Sequence, residues 1–157
     1  YKKELSYIPV LGWHLRRAGQ IPIERGGRAD VLARLTGTVR GNIDQGRQII
    51  IFPEGTRRPV GAPPDYKIGV AQLYKSFGAP VVPVALNAGL AWPRRRFLKR
   101  PYTIIIEFLD PIPAGMPPRA FFRALQERIE TATDRLVAES LAEKGQSLST
   151  IQSSSES

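Results

Sequence analysis

The feature that most constrains the fold of this chain is the β-branched run Ile49-Ile50-Ile51, which leads directly into Phe52-Pro53-Glu54-Gly55-Thr56-Arg57. Consecutive β-branched residues between polar flanks predict a buried strand over Gln48–Phe52. Proline cannot donate to a strand ladder, so Pro53 ends the strand, and Gly55 allows a tight turn. The pattern therefore predicts a strand that delivers a polar loop to the edge of a sheet.

The remaining sequence alternates between strand patterns and helix patterns, which predicts an α/β fold with a mostly parallel or mixed sheet flanked by helices. Short apolar runs predict three further strands, and residues of helical spacing predict helices between them. The predicted strands are Gln20–Glu24 and two buried strands, Val81–Leu86 and Thr103–Phe108. The predicted helices are Leu5–Gly19, Asp30–Gln45, Val70–Phe77 and Pro117–Ala142.

The last predicted helix carries a regular apolar stripe, which we expect to pack on the chain's own sheet. The stripe consists of Phe122, Leu125, Ile129, Leu136 and Leu141. Gly145 ends the helix, and the serine-rich residues that follow have too little apolar content to fold. The sequence predicts one domain over residues 1–144 and a disordered tail over residues 145–157.

Composition excludes several classes of chemistry. The chain has no cysteine and a single histidine, His14, so it has no disulfide, thiol nucleophile or multi-histidine metal site. We expect neither a metal nor a bound organic cofactor. The net charge of +9 implies an anionic partner, for which nucleic acid, an anionic membrane surface and phosphorylated small molecules are the candidates.

The candidate site is the loop after the Ile49–Ile51 run, because ligands of α/β folds bind where strands end. Thr56 and Arg57 place a hydroxyl and a guanidinium there, and the arginine fork suits a phosphate. Glu54 is expected to fix that guanidinium or to orient a substrate hydroxyl. The simpler interpretation is a surface turn with an ion pair between Glu54 and Arg57.

Phe52-Pro53-Glu54-Gly55-Thr56-Arg57 resembles the third motif of the glycerolipid acyltransferases, the family that contains 1-acyl-sn-glycerol-3-phosphate acyltransferase. Gly19-Gln20-Ile21-Pro22-Ile23-Glu24-Arg25 is similar to their second motif, and Val82-Pro83-Val84-Ala85-Leu86 to their fourth. Lys2 to Gly12 resembles the helix before motif two. The resemblance implies a glycerol-3-phosphate acyltransferase-like fold and acyl transfer to lysophosphatidate, giving phosphatidate in phospholipid synthesis. Acyl-CoA or acyl-carrier protein would be the co-substrate.

The resemblance also implies roles for individual residues. Arg57, with Glu54, Gly55 and Thr56 around it, would bind the acceptor phosphate, Arg25 would be a second ligand and Lys2 a third. In this family the histidine of an H-x4-D motif acts as general base, but no such motif occurs here, and Gly19 stands five positions after His14. We interpret Tyr1 as a cut end and expect the dyad upstream, so the chain by itself is expected to be inactive.

Trp92-Pro93-Arg94-Arg95-Arg96-Phe97-Leu98-Lys99-Arg100 mixes aromatic and cationic residues. This composition favours binding to an anionic membrane surface. The alternatives are a solvated loop without a partner and a patch that binds nucleic acid. With the lipid motifs, it predicts a location at the cytoplasmic face of a membrane, peripheral or anchored through a missing N-terminal segment, and no nucleic-acid partner. One alternative function is acyl transfer to another acceptor, either glycerol-3-phosphate or another lysophospholipid. The other is a non-catalytic basic module that binds anionic lipid or nucleic acid.

Overall fold

The structure is a computed structural model that describes Tyr7 and the ranges 9–18, 29–93 and 99–149. The chain divides into two compact units, Tyr1–Ile51 and Phe52–Ser157. Within the described residues, the first unit contains two helices and the second contains three helices and two strands.

The two helices of the first unit are α1, Pro9–Arg17, and α2, Ala29–Asp44. α1 lies within the predicted helix Leu5–Gly19, and α2 is shifted by one residue at each end from the predicted helix Asp30–Gln45. Gly46 follows α2 with a φ of 73°, and Arg47 N–H donates to Asn42 O at 2.9 Å, a glycine-dependent way to satisfy the last carbonyls of a helix. The predicted strand Gln20–Glu24 lies outside the described residues.

The predicted buried strand over Gln48–Phe52 is wrong. These residues belong to no strand, and Ile50 and Phe52 are 82% and 74% exposed. A strand exists only through hydrogen bonds to a neighbour, and no described segment of the chain pairs with this run. A β-branched composition favours extended backbone, but it cannot supply that neighbour.

The second unit is built on its last helix, α5, Pro118–Ala142, which the proline start and the apolar stripe predicted. It packs against α3, Gly69–Phe77, where the Tyr74 ring stacks on Phe121 with 3.7 Å between centroids. The Tyr74 hydroxyl accepts the Met116 N–H at 2.9 Å. This stacking places Phe121 in the core, whereas the predicted core residue Phe122 is only partly buried.

Two short strands form an antiparallel pair that packs against later turns of α5. They are β1, Val84–Leu86, and β2, Ile106–Phe108, with Ala85 opposite Glu107. Ala85 is fully buried against Ala132 and Leu136 of α5. On the opposite face of β2, Ile106 and Phe108 are exposed, so the prediction of a buried strand over Thr103–Phe108 is wrong. Parallel pairing elsewhere in the sheet stays a prediction.

A one-turn helix, α4, Ala88–Ala91, follows β1 and was not predicted. Asn87, only 1% exposed, precedes the first residue of α4 and fixes that end of the helix through buried side-chain hydrogen bonds. Its Nδ2 donates to Thr103 O at 3.0 Å and to Ser140 Oγ at 2.8 Å, and its Oδ1 accepts the Ile105 N–H at 2.8 Å. Buried polar groups with complete hydrogen bonding fix one geometry, and here they fix where the chain leaves α4 at Trp92.

Candidate functional site

The candidate motif forms a closed loop that begins with a turn. Gly55 N–H donates to Phe52 O at 3.0 Å, with proline at the second position of the turn and glycine at the fourth, where each is favoured. Gly55 has a φ of 67°, a conformation that is costly for other residues. Lys67 N–H donates to Pro53 O at 2.9 Å, so the loop over residues 53–67 is closed at its base.

Glu54 contributes to this closure and does not pair with the arginine of the motif. Its Oε1 accepts the Asp65 N–H at 3.1 Å, and the ion pairs of the described residues do not include one between Glu54 and Arg57. The simpler interpretation, an ion pair between Glu54 and Arg57, is therefore wrong, and so is the expectation that Glu54 fixes the guanidinium of Arg57. Its carboxylate is turned to the far end of the loop, where a backbone donor satisfies it.

The tip of the loop is anchored on α4. Val60 packs against Leu90, Val137 and Leu141, and a Cβ atom at Gly89 would lie 2.7 Å from Val60 Cγ2. The glycine lets the backbone of α4 approach the loop more closely than any other residue would. Arg58 supports the same loop from within by donating from a guanidinium nitrogen to Pro63 O at 3.0 Å.

Arg57 projects from the loop onto an aromatic ring. Its Cζ lies 5.6 Å from the centroid of the Trp92 ring, and the Nζ of Lys99 lies 4.4 Å from the same centroid. Both distances are within the roughly 6 Å over which a cation is attracted to an indole. The structure thus places two exposed cations around one half-exposed tryptophan.

This cluster joins two segments that the sequence presented separately. Arg57 was assigned to the motif loop, and Trp92 and Lys99 to the basic and aromatic segment more than 30 positions further on. No spacing rule connects them, because their proximity depends on how α4 packs against the loop. Thr56 lies beside Arg57 with an exposed side chain. The structure therefore adds Trp92 and Lys99 to the predicted site.

Within the described ranges, the structure does not bring the remaining sequence candidates to this cluster. Arg25 and Lys2 lie outside the described residues, as do residues 94–98 of the basic segment. His14 is exposed on α1. None of the helices in the described ranges is both long enough and apolar enough to span a membrane.

The fold is similar to that of a known acyltransferase. The chain aligns with the crystal structure of the 1-acyl-sn-glycerophosphate acyltransferase of Thermotoga maritima with a TM-score of 0.66 and 24% identity. The alignment covers 86% of this chain and 54% of that one. It confirms the predicted α/β class and its acyltransferase-like architecture.

The family follows from the sequence match. Residues 1–87, more than half of the chain and including the whole Phe52–Arg57 motif, match the family model described as Acyltransferase. The chain belongs to this acyltransferase family, as its motifs predicted.

Its relatives include enzymes named 1-acyl-sn-glycerol-3-phosphate acyltransferase from Pseudomonas aeruginosa and Limnanthes alba. The first is 36% identical over 139 residues, which make up 88% of this chain and 54% of the relative. The second is 34% identical over 112 residues, which make up 71% of this chain and 40% of the relative. The chain thus spans about half of these relatives, or less.

Proposed function

We propose that the protein to which this chain belongs transfers an acyl group from acyl-CoA or acyl-carrier protein to the free hydroxyl of 1-acyl-sn-glycerol-3-phosphate. The product is phosphatidate. The observation that carries the proposal is the Phe52–Arg57 loop, which presents an exposed guanidinium within a chain whose relatives bear the name of this activity. An arginine fork can donate two parallel charge-assisted hydrogen bonds to the acceptor phosphate.

The reaction exchanges a thioester for an oxygen ester. The acceptor oxygen forms a bond to the acyl carbon, the carbon–sulfur bond breaks, and the hydroxyl proton passes through a general base to the departing thiolate. The role of this chain in the step is to bind and orient the acceptor. Holding the phosphate at a fixed point limits where the free hydroxyl can lie, and such positioning is a large part of catalysis.

Arg57 is the proposed principal phosphate ligand, and Thr56 adds a hydroxyl donor beside it. Gly55 shapes the turn that presents both, since its N–H is already bonded to Phe52 O. Glu54 holds the far end of the same loop through Asp65. Arg25 and Lys2 remain further candidate phosphate ligands by their motif positions. The general base is not assigned to a residue of this chain.

We place the reaction at the cytoplasmic face of a membrane, because the acceptor and the product are anionic amphiphiles. Each basic side chain near an anionic surface contributes on the order of 1 kcal/mol of attraction. The segment from Trp92 to Arg100 contains five such residues, Arg94, Arg95, Arg96, Lys99 and Arg100. Aromatic residues in the same segment can enter the interface.

The test is an acylation assay of the complete product of the gene that encodes this chain. The protein is supplied with acyl-CoA or acyl-carrier protein and with lysophosphatidate, glycerol-3-phosphate or lysophosphatidylethanolamine, and products are identified by mass spectrometry. We expect phosphatidate, with the highest kcat/KM for lysophosphatidate. Preference for another acceptor would refute the assigned substrate, and failure with all three acceptors would refute the proposed function.

A further inference from the structure

Three anchored segments meet at this cluster: α4, which ends at Trp92, the motif loop, which carries Arg57, and the segment that carries Lys99. Trp92 stands at the end of α4, and its N–H donates to Ala88 O at 2.9 Å. The helix is fixed by the fully buried Leu90 and by the Asn87 network. The backbone that carries the indole is therefore fixed by the core, whereas Trp92 itself is 51% exposed.

Arg57 and Lys99 are brought to this ring from opposite directions in the sequence. On the Arg57 side, the loop is closed at its base and packed at its tip, where Val60 meets Gly89. On the Lys99 side, the next residue, Arg100, donates its N–H to Ala91 O at 2.8 Å, so the chain returns to α4 at this point. The distance between Arg57 Cζ and Lys99 Nζ cannot exceed the sum of their distances to the ring centroid, which are 5.6 Å and 4.4 Å.

These cations are not neutralised by a carboxylate within the described ranges. The ion pairs there join Asp65 to Lys67, and Glu107 and Glu139 to Arg135. Two nearby like charges repel one another, and the electron-rich face of an indole offsets part of that repulsion. An arrangement of this kind favours binding of an anion that carries more than one charge.

We propose that Trp92 is a positioning residue that holds Arg57 and Lys99 as a two-cation site for a phosphomonoester. This inference rests on the proposed function and deepens it, because it predicts which lysophospholipids the site accepts. A phosphomonoester carries a charge of about −1.5 to −2 at pH 7, since its second pKa is about 6, whereas a phosphodiester carries a single charge. Lys99 would therefore contribute much more to lysophosphatidate binding than to the binding of a lysophospholipid with a diester headgroup.

The kinetic test compares Trp92→Leu, which removes the aromatic ring, with Trp92→Phe, which retains one. Trp13 provides the matched control, because it is 55% exposed and has Arg17 at 5.4 Å from its ring centroid. Trp13→Leu removes an equivalent aromatic–cation pair from α1. All variants are assayed as the complete gene product, with lysophosphatidate and with lysophosphatidylglycerol, which has a diester headgroup.

We expect Trp92→Leu to raise the KM for lysophosphatidate about threefold to tenfold, since two cations lose an aromatic partner. Trp92→Phe should raise it by less than about twofold, because phenyl rings also attract cations. In both variants kcat and the KM for the acyl donor should stay at the wild-type values, as they should in Trp13→Leu. Lys99→Gln should lower the preference for the monoester over the diester, because it should raise the KM for lysophosphatidate much more than the KM for lysophosphatidylglycerol.

A binding measurement decides the inference independently of turnover. The chain has two tryptophans, so Trp13→Phe leaves Trp92 as the only tryptophan of this chain. The fluorescence of Trp92 is followed during titration with short-chain lysophosphatidate and lysophosphatidylglycerol. The signal of a Trp13→Phe/Trp92→Phe protein is subtracted to remove the contribution of tryptophans elsewhere in the gene product. We expect a saturable change with a lower Kd for the monoester, and loss of that difference when Lys99→Gln is added.

The outcomes separate the two proposals. If Trp92→Leu matches Trp13→Leu while the wild-type protein acylates lysophosphatidate, the positioning role is wrong and the proposed function stands. If Trp92→Leu weakens both acceptors equally, Trp92 contributes general lipid contact and the two-cation site is refuted. If the wild-type protein acylates no lysophosphatidate, the proposed function fails. The fluorescence titration then supports the two-cation site if the monoester binds more tightly and refutes it if both lipids bind alike.

Discussion

Val60 packs so closely on α4 that a Cβ atom at Gly89 would lie 2.7 Å from its Cγ2 atom. This contact joins the tip of the motif loop to the helix that ends at Trp92. It explains how Arg57, on that loop, comes to lie beside a tryptophan distant in sequence. The geometry of the candidate site therefore depends on a glycine that carries no functional group.

Gly89→Ala should disrupt this contact. An alanine in a helix normally stabilises it by about 0.5–1 kcal/mol relative to glycine. Here the added methyl group overlaps Val60, and overpacking of this kind typically costs about 1–3 kcal/mol. We therefore expect a net decrease of about 1 kcal/mol or more in the free energy of unfolding, measured by urea denaturation.

The double variant Val60→Ala/Gly89→Ala is the control for this prediction. Shortening Val60 removes the atom that the new methyl group would meet, so the second change should cost much less in this background than in the wild type. The double variant should therefore be clearly less destabilised than the sum of the two single variants. A Gly89→Ala protein that is more stable than wild type would show that the close approach does not exist.

Asn87→Ala should destabilise the second unit substantially. The side chain is buried and satisfies the Ile105 N–H, the Thr103 carbonyl and the Ser140 hydroxyl. Leaving a buried donor or acceptor unpaired costs about 1–3 kcal/mol, so a loss of about 3 kcal/mol in the free energy of unfolding is expected. Urea denaturation measures this loss directly.

Asn42 offers a matched asparagine on α2. Its Nδ2 makes one hydrogen bond, to Thr38 O of the same helix, and it is partly exposed. Asn42→Ala should change the free energy of unfolding by about 0.5 kcal/mol or less, as surface substitutions usually do. Equal effects of the two substitutions would contradict the structural role of Asn87.

Tyr66 should make the stability of the protein depend on pH in the alkaline range. Its hydroxyl donates to Glu130 Oε1 at 2.8 Å. Burial, followed by this hydrogen bond and by the charges of Glu130 and Glu54, raises the pKa of Tyr66 above its ordinary value of 10.0. Above about pH 10 the unfolded chain loses this proton while the folded chain keeps it, so stability falls as pH rises.

Tyr66→Phe isolates this contribution from those of the other tyrosines. The variant should be less stable than wild type by about 1 kcal/mol near neutral pH, because it lacks one hydrogen bond. Between about pH 8 and pH 11, however, its free energy of unfolding should fall less steeply than that of the wild type. Parallel curves for the two proteins would contradict the raised pKa.

The helices were largely predictable because their signals are local. Apolar spacing and the prolines at residues 117 and 118 located α5, and the same spacing located α2 and α3. Leu125, Leu136 and Leu141 of the predicted stripe are buried, but Phe122 was predicted in place of Phe121, because only the stacking on Tyr74 distinguishes the two neighbouring phenylalanines. The strand predicted over Gln48–Phe52 was wrong because strand formation depends on a partner that local composition does not specify.

The candidate site was predictable only in part for the same reason. Motif resemblance pointed to Arg57 and its neighbours, and the turn at Gly55 follows from its proline and glycine. The contacts of Glu54 with Asp65 and of Arg57 with Trp92 depend on how the loop closes and packs. Such contacts join residues that no sequence spacing relates, and they appear only in the three-dimensional structure.

The most direct test of the account measures the KM for lysophosphatidate in an Arg57→Ala variant of the complete gene product. Charge-assisted hydrogen bonds contribute about 1.5–3 kcal/mol, so the KM should rise about 10-fold to 100-fold, with the KM for the acyl donor unchanged and with partial recovery in Arg57→Lys. Arg119→Ala, which removes an exposed arginine from α5, should leave both constants at wild-type values. An Arg57→Ala enzyme whose KM for lysophosphatidate equals that of Arg119→Ala would contradict the assignment of Arg57 as the phosphate ligand.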